Sequence, residues 1–261
     1  MVNEERVLSD KDAFESARYA TLDEIVEELA KKSESSKVLD LATGPGYKEN
    51  LHVVKTFGKL GKDFQLVQTD ISPTWLKENH KNLSQRLTLE EMRKIEYALV
   101  DCRDLRKPIT EIPLYCLGKE KTFITPQEII SRPEYNFLNS GQTPTFDDNE
   151  YSAVIGNIPF SSIHDHRDLA VSETARVLNK DGYLSVIERQ VEKINPKVYR
   201  EPSAMRGAKS KTIEEVRRLL DNRLKPVGVL SVKYEWNGEK IPEQTIQPGD
   251  ILKDSVLIYK K

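Results

Sequence analysis

Cysteine and histidine are scarce in this chain of 261 residues. There are two cysteines, Cys102 and Cys116, and four histidines. Two cysteines build neither a disulfide framework nor a cysteine zinc site, and the short histidine cluster lacks a third ligand, so no metal site is expected. Long apolar runs are missing as well. No stretch approaches the ~20 apolar residues that span a bilayer. The opening MVNEERVLSD lacks the apolar centre of a signal peptide. An excess of one charge is also absent. Lys plus Arg number 40 against 42 Asp plus Glu, a net −2, so any case for nucleic acid has to be local. There is no internal repeat and no low-complexity tract. A soluble, cytoplasmic protein is the expectation. With 31% charged and 38% hydrophobic residues the chain is polar, yet its apolar stretches recur often enough to build a core.

What is present is an alternation. Ser9 with Asp12, and Thr21 with Glu24, each have the spacing of a helix start. After Thr21, Leu22, Ile25, Val26, Leu29 and Ala30 mark one buried helical face ending near Lys32. Short apolar runs at 37–42, 64–70, 95–100, 151–156, 183–188, 227–236 and 255–259 predict seven strands. Helices are expected over 47–58, from Pro73, over 165–178 and over 212–224, Pro73 suiting a first helical turn. This order predicts an α/β fold: a Rossmann-like, seven-stranded, mostly parallel sheet with helices on both faces. Residues 1–261 read as a single domain. Two segments depart from the alternation. Residues 105–146 hold five of the 13 prolines and read as an insertion or lid between the third and fourth strands. Residues 190–211 read as a basic loop between the fifth strand and its helix. With Arg189 included, the segment carries +5 in a chain of −2, which suits an anionic partner.

In open α/β sheets ligands bind outside the carboxyl ends of the strands. The turn of Asp40, Leu41, Ala42, Thr43, Gly44, Pro45 and Gly46 lies there, before a helix whose first amides are free. The second strand ends in Asp70, which suits the two hydroxyls of a ribose. The third ends in Asp101, followed by Cys102, which suit the edge of an adenine.

These residues resemble the motifs of the class I S-adenosylmethionine-dependent methyltransferases, over most of residues 37–189. VLDLATGPGY, VQTDISPTWLKEN, ALVDCRDL, TFDDNEYSAVIG and SETARVLNKDGYLSVIE follow in the family's order, with Ala42 where glycine is commoner. The resemblance implies S-adenosyl-L-methionine as cofactor and an antiparallel last strand. It implies that Asp40 supports the turn and the methionine amino group. Ala42, Thr43, Gly44 and Gly46 would make room for the cofactor. Asp70 would take the ribose, Ile71 would pack on the adenine, and Asp101 with Cys102 would read its edge. A nicotinamide-dinucleotide enzyme would need a third glycine where this chain has Glu49.

The cofactor brings most of the reactivity in methyl transfer, so the protein mainly positions the acceptor. Asn157, Ile158, Pro159 and Phe160 follow the fourth strand and are similar to the Asn-x-Pro-aromatic turn of amino methyltransferases. Asn157 is also expected at the cofactor. GNIPF is similar to the turn of the rRNA adenine dimethylases, although their first motif usually carries Glu where this chain has Asp40. His164, next to Asp165 and His166, is a candidate base. Glu188 faces the same edge, and Tyr19 is placed to cover the cofactor or to join the core. The expected function is methyl transfer to a nitrogen or oxygen of a small molecule. The alternatives are a nucleic-acid base amino methyltransferase using the N-I-P-F turn and the basic segment, and a non-catalytic cofactor-binding scaffold subunit.

Overall fold

The computed structural model describes residues 5–44, 46–107, 109–113, 123–138, 146–160, 166–195, 212–238 and 246–261. Its strands are β1 (Glu5–Leu8), β2 (Ser35–Asp40), β3 (Asp63–Asp70), β4 (Ile95–Leu99), β5 (Ile112–Pro113), β6 (Phe123–Ile124), β7 (Tyr151–Asn157), β8 (Leu178–Lys193), β9 (Lys225–Glu235) and β10 (Ile251–Lys260). Its helices are α1 (Lys11–Lys32), α2 (Lys48–Leu60), α3 (Pro73–Ser84), α4 (Leu89–Met92), α5 (Pro126–Ile130), α6 (Arg167–Val177) and α7 (Thr212–Asp221).

The main sheet runs β1-β9-β10-β8-β7-β2-β3-β4. β10 is antiparallel to both neighbours, as expected of the last strand. The remaining neighbours are parallel. The sheet has eight strands, not seven. The added strand is β1, four residues whose first three are exposed, so it carries no apolar alternation to read. Its backbone pairs with β9 all the same.

The central strands are buried on both faces, which is why they read as continuous apolar runs. Val38 on β2 packs in one core with Leu22, Ile25 and Val26 of α1 and Val53 and Phe57 of α2. Its neighbour Leu39 packs in the other with Ala170 and Val171 of α6 and Val216 and Leu220 of α7. α1 is one helix of 22 residues, not two starts. Asp10 caps it by accepting from the Ala13 amide at 2.8 Å. Thr21, read as a cap, instead donates its hydroxyl to the Ala17 carbonyl at 2.9 Å, so the helix continues through it.

Of the described part of 105–146, Leu105 and Phe146 join the second core, and the residues between them pack beside α3 and the edge strand β4. Ile112, Ile124, Ile129, Tyr135 and Leu138 share one core with Leu76 and Leu83 of α3 and Tyr97 of β4. Phe137 stacks on His80 of α3, with centroids 4.5 Å apart and 11° between planes. Of the basic segment, residues 189–195 are described, and 196–211 lie outside the described residues. β8 carries the chain out to Lys193, and on it Arg189 is ion-paired with Asp254 of β10 at 2.7 and 2.8 Å. No helix among the described residues is long and apolar enough to cross a membrane.

One core position opposes stability. Gln68 on β3 lies between Asp40 on β2 and Tyr97 on β4, fully buried. Neither atom of its amide has a hydrogen-bond partner. A buried unsatisfied polar group costs about 1–3 kcal/mol. Gln68→Met, similar in shape and free of that cost, is expected to raise the unfolding free energy by about that amount in urea titration. A less stable variant would show that the native protein satisfies the amide.

Candidate functional site

The carboxyl ends of β2, β3, β4 and β7 bring the candidate residues together around the turn after β2. Asp40 ends β2, almost wholly buried. Its Oδ2 accepts from the Thr43 hydroxyl at 2.6 Å and from the Asn50 amide of α2 at 2.7 Å. Burial pushes its carboxyl up to about 7 against those two hydrogen bonds. Ala42 has φ +52°, in the left-handed region, which explains why the family favours glycine there. Gly44 follows at φ +59°. Pro45 lies outside the described residues.

The Gly44 peptide is clasped from both sides. Its N–H donates to Asp70 Oδ2 at 2.8 Å, and its carbonyl accepts from the Asn79 amide of α3 at 2.7 Å. Asp70 also accepts from the Ser72 amide at 2.7 Å. That bond fixes the chain where Ser72 caps α3 and Pro73, as the sequence suggested, opens it. Burial raises the Asp70 carboxyl to about 6 in spite of these backbone donors. Ile71, half-buried, stands between them.

Asp101 follows β4. Burial works to raise its carboxyl, but the Arg103 guanidinium and amide outweigh burial and hold it below the usual range. Arg103 reaches both oxygens, at 2.9 and 3.0 Å through Nε and 2.5 Å through Nη2. Burial, with Asp101 and Asp70 nearby, pushes the Cys102 thiol well up, so it is a neutral group at physiological pH.

Gly46 meets the turn that follows β7. A Cβ on Gly46 would sit 3.3 Å from Asn157 Nδ2 and 3.9 Å from Glu49 Oε2. Asn157, half-buried, ends β7 and so overlooks the glycine turn. Pro159 and Phe160 are buried beneath. The Phe160 ring is wholly enclosed in the core with Leu39 and Leu41. His164 and Asp165 lie outside the described residues. His166 is exposed at the start of α6, with φ +65° and no capping bond from its side chain. Tyr19 is partly buried against the core and against His52 at 4.7 Å between centroids.

Sequence reading missed four groups that build this site. Asn50 and Asn79 hold Asp40 and Gly44. Arg18 of α1 and Glu49 of α2 form a buried ion pair beside Gly46, with Tyr19 within 3.2 Å of Arg18. Asn50 had a signal, since it lies in the first turn of the helix after the glycine turn. Asn79 closes the VQTDISPTWLKEN motif, which gave no sign of its bond to Gly44, and Arg18, from an element distant in sequence, had no signal. α2 has no side-chain cap, because its N-cap Tyr47 makes no such bond. Its first amides therefore suit a carboxylate. Among the described residues no group of His, Cys, Asp and Glu could hold a metal ion.

Comparison with known proteins places the fold. No family model matches the sequence, and no curated protein matches it. Solved structures do. The chain is similar to the MccD protein at 16% identity, covering 91% of this chain and 96% of that one, with a TM-score of 0.52. It is similar to a candidate methyltransferase from Bacillus halodurans C-125 at 14% identity, covering 93% and 98%, with a TM-score of 0.52. It is also similar to the geranyl diphosphate C-methyltransferase of Streptomyces coelicolor A3(2), solved with Mg2+, geranyl diphosphate and S-adenosyl-L-homocysteine. That likeness is 12% identity over 92% and 79%, with a TM-score of 0.50. The fold is the Rossmann-like fold of the class I S-adenosylmethionine-dependent methyltransferases.

Proposed function

We propose that this protein is an S-adenosylmethionine-dependent methyltransferase acting on a nitrogen or oxygen of a small molecule. The observation that carries the reading is the placement of Asp70. Its carboxyl group ends β3 directly across from the glycine turn and accepts the Gly44 amide at 2.8 Å. An acid at this edge is suited to both hydroxyls of a ribose. The bare backbone at Gly46 and the uncapped start of α2 suit the methionine part, with Asp40 nearby for its amino group.

The cofactor supplies an activated methyl group on a sulfonium. The chain's own residues bind and orient. Asp70 holds the sugar, Ile71 and Cys102 wall the base, and Asp101 reads its edge. The turn held by Asp40, Thr43 and Asn50 fixes the methionine end. Asn157, at the rim of Gly46, offers its side-chain carbonyl oxygen and amide to the cofactor and to the acceptor. A small acceptor is favoured by Phe160, whose buried ring presents no face for a nucleic-acid base to stack on. Arg189, first of the basic segment, is already neutralised by Asp254.

S-adenosylhomocysteine at ~100-fold excess over its dissociation constant is expected to add about 2.7 kcal/mol to stability, read as a rise in Tm. No rise removes the cofactor from the reading. Labelled methyl from S-adenosylmethionine is then expected in the small-molecule pool of a cell extract. Label in nucleic acid would overturn the small-molecule half. Binding without transfer would leave a scaffold subunit.

A further inference from the structure

The acceptor-side turn is held in a conformation its sequence resists. Ile158 sits at φ +62°, a region that β-branched residues avoid. Such strain persists only where the surroundings over-determine it. Here they do. The Ile158 amide donates to the Ile187 carbonyl of β8 at 2.8 Å. Two residues on, the Phe160 peptide is taken at both ends. Its N–H donates to Oε1 of Glu188, wholly buried at 0% exposure, at 3.0 Å. Its carbonyl accepts from Nε of Arg167, the first residue of α6, at 3.0 Å. Arg167 is itself anchored to Glu215 of α7 at 2.5 Å. On the other side Gly156 leaves no room to relax, since a Cβ there would lie 2.9 Å from the Leu41 carbonyl.

The result of this strain is visible at Asn157. The sharp turn after it leaves the Asn157 amide at the rim of Gly46, in the opposite loop. A buried carboxyl group and a buried guanidinium carry a desolvation cost, which hydrogen bonds such as these to the Phe160 N–H and carbonyl offset. We infer that Glu188 and Arg167 are positioning residues: by clasping the Phe160 peptide from beneath, they set Asn157 against the cofactor turn at Gly46. The inference rests on the methyltransferase reading above, because it assigns Asn157 a contact with the bound cofactor.

The test measures S-adenosylhomocysteine affinity by calorimetry on the full chain. Asn157→Ala is expected to weaken binding about tenfold, the loss typical of one hydrogen bond. Glu188→Ala is expected to weaken it by a similar factor. The double variant is expected to be no weaker than either single one, because both remove the same contact. Glu188→Gln keeps an oxygen for the Phe160 amide and is expected to restore affinity to within about twofold of wild type. A purely structural role predicts otherwise: a lower Tm for Glu188→Ala with unchanged affinity, or additive losses in the double variant. Either result overturns the inference and leaves the cofactor reading intact, as does unchanged affinity in Asn157→Ala. No binding by the wild type overturns the reading and the inference together. If Glu188→Ala does not fold, Arg167→Lys serves in its place. One ammonium cannot reproduce the two-sided reach to Phe160 and Glu215, so the same loss of affinity and the same non-additivity with Asn157→Ala are expected.

Discussion

Asp70→Ala is expected to weaken S-adenosylhomocysteine binding at least about a hundredfold, since two hydroxyls would each lose a hydrogen bond to an ionised acceptor. The same variant is expected to lose stability. Asp70 accepts the Gly44 amide at 2.8 Å and the Ser72 amide at 2.7 Å. Both donors lie at a crowded edge and would lose this acceptor, at about 1–3 kcal/mol each. The loss follows because Asp70 ties the glycine turn to the start of α3. Affinity therefore has to be measured by calorimetry at a temperature where the variant is folded. Unchanged affinity with a lowered Tm would make Asp70 a structural clasp only.

The elements that were legible in the sequence are those whose signal is local. Val38 and Leu39 read as a doubly buried strand because helices cover both faces of the sheet. Pro73 read as a helix start because its fixed backbone suits a first turn, a preference held within one residue. Ala42 was read as a departure from glycine, and its φ of +52° shows what the departure costs the backbone. β1 was not legible, since an exposed four-residue edge strand carries no alternation. Thr21 misled because a threonine hydroxyl can bond backward within a helix as well as cap one. In the site, the acids at strand ends were legible from the strands themselves. The Arg18–Glu49 pair and the Asn79 clasp join segments 31 and 35 residues apart, and no local pattern encodes such a meeting. Phe160 shows the same limit in reverse. Its position in a motif suggests a stacking ring, but only the packing of β8 and α6 decides which way the ring turns.

The second large effect is at Asp40, where stability and binding are expected to move in opposite directions. Burial raises its carboxyl group from an ordinary 3.8 to about 7, and Glu49 and Asp70 add to the rise. Between those values the native state holds a proton that the unfolded chain has released. The contribution to stability therefore falls as pH rises through the window from about 4 to about 7, and the full cost is present above it. A shift of this size corresponds to roughly 4 kcal/mol at its upper bound. The amide introduced by Asp40→Asn cannot ionise, yet it retains an oxygen for Thr43 and Asn50. Without ligand, Asp40→Asn is therefore expected to match the wild type only near pH 4, at the foot of that window, and to exceed it by a few kcal/mol at pH 8, in denaturant unfolding across that range. Binding reverses the order. An ionised Asp40 favours a cationic amino group, so the wild type is expected to bind S-adenosylhomocysteine more tightly at pH 8 than at pH 6. The variant is expected to bind at least about tenfold more weakly at pH 8 and to lose most of that dependence. Parallel stability curves for the two proteins would show that Asp40 is not held protonated at neutral pH. Equal affinity at pH 8 would place the amino group elsewhere. The combination expected here, a more stable variant that binds less, is what a buried acid kept for a ligand produces: the bound cation offsets the desolvation that the carboxylate otherwise carries alone.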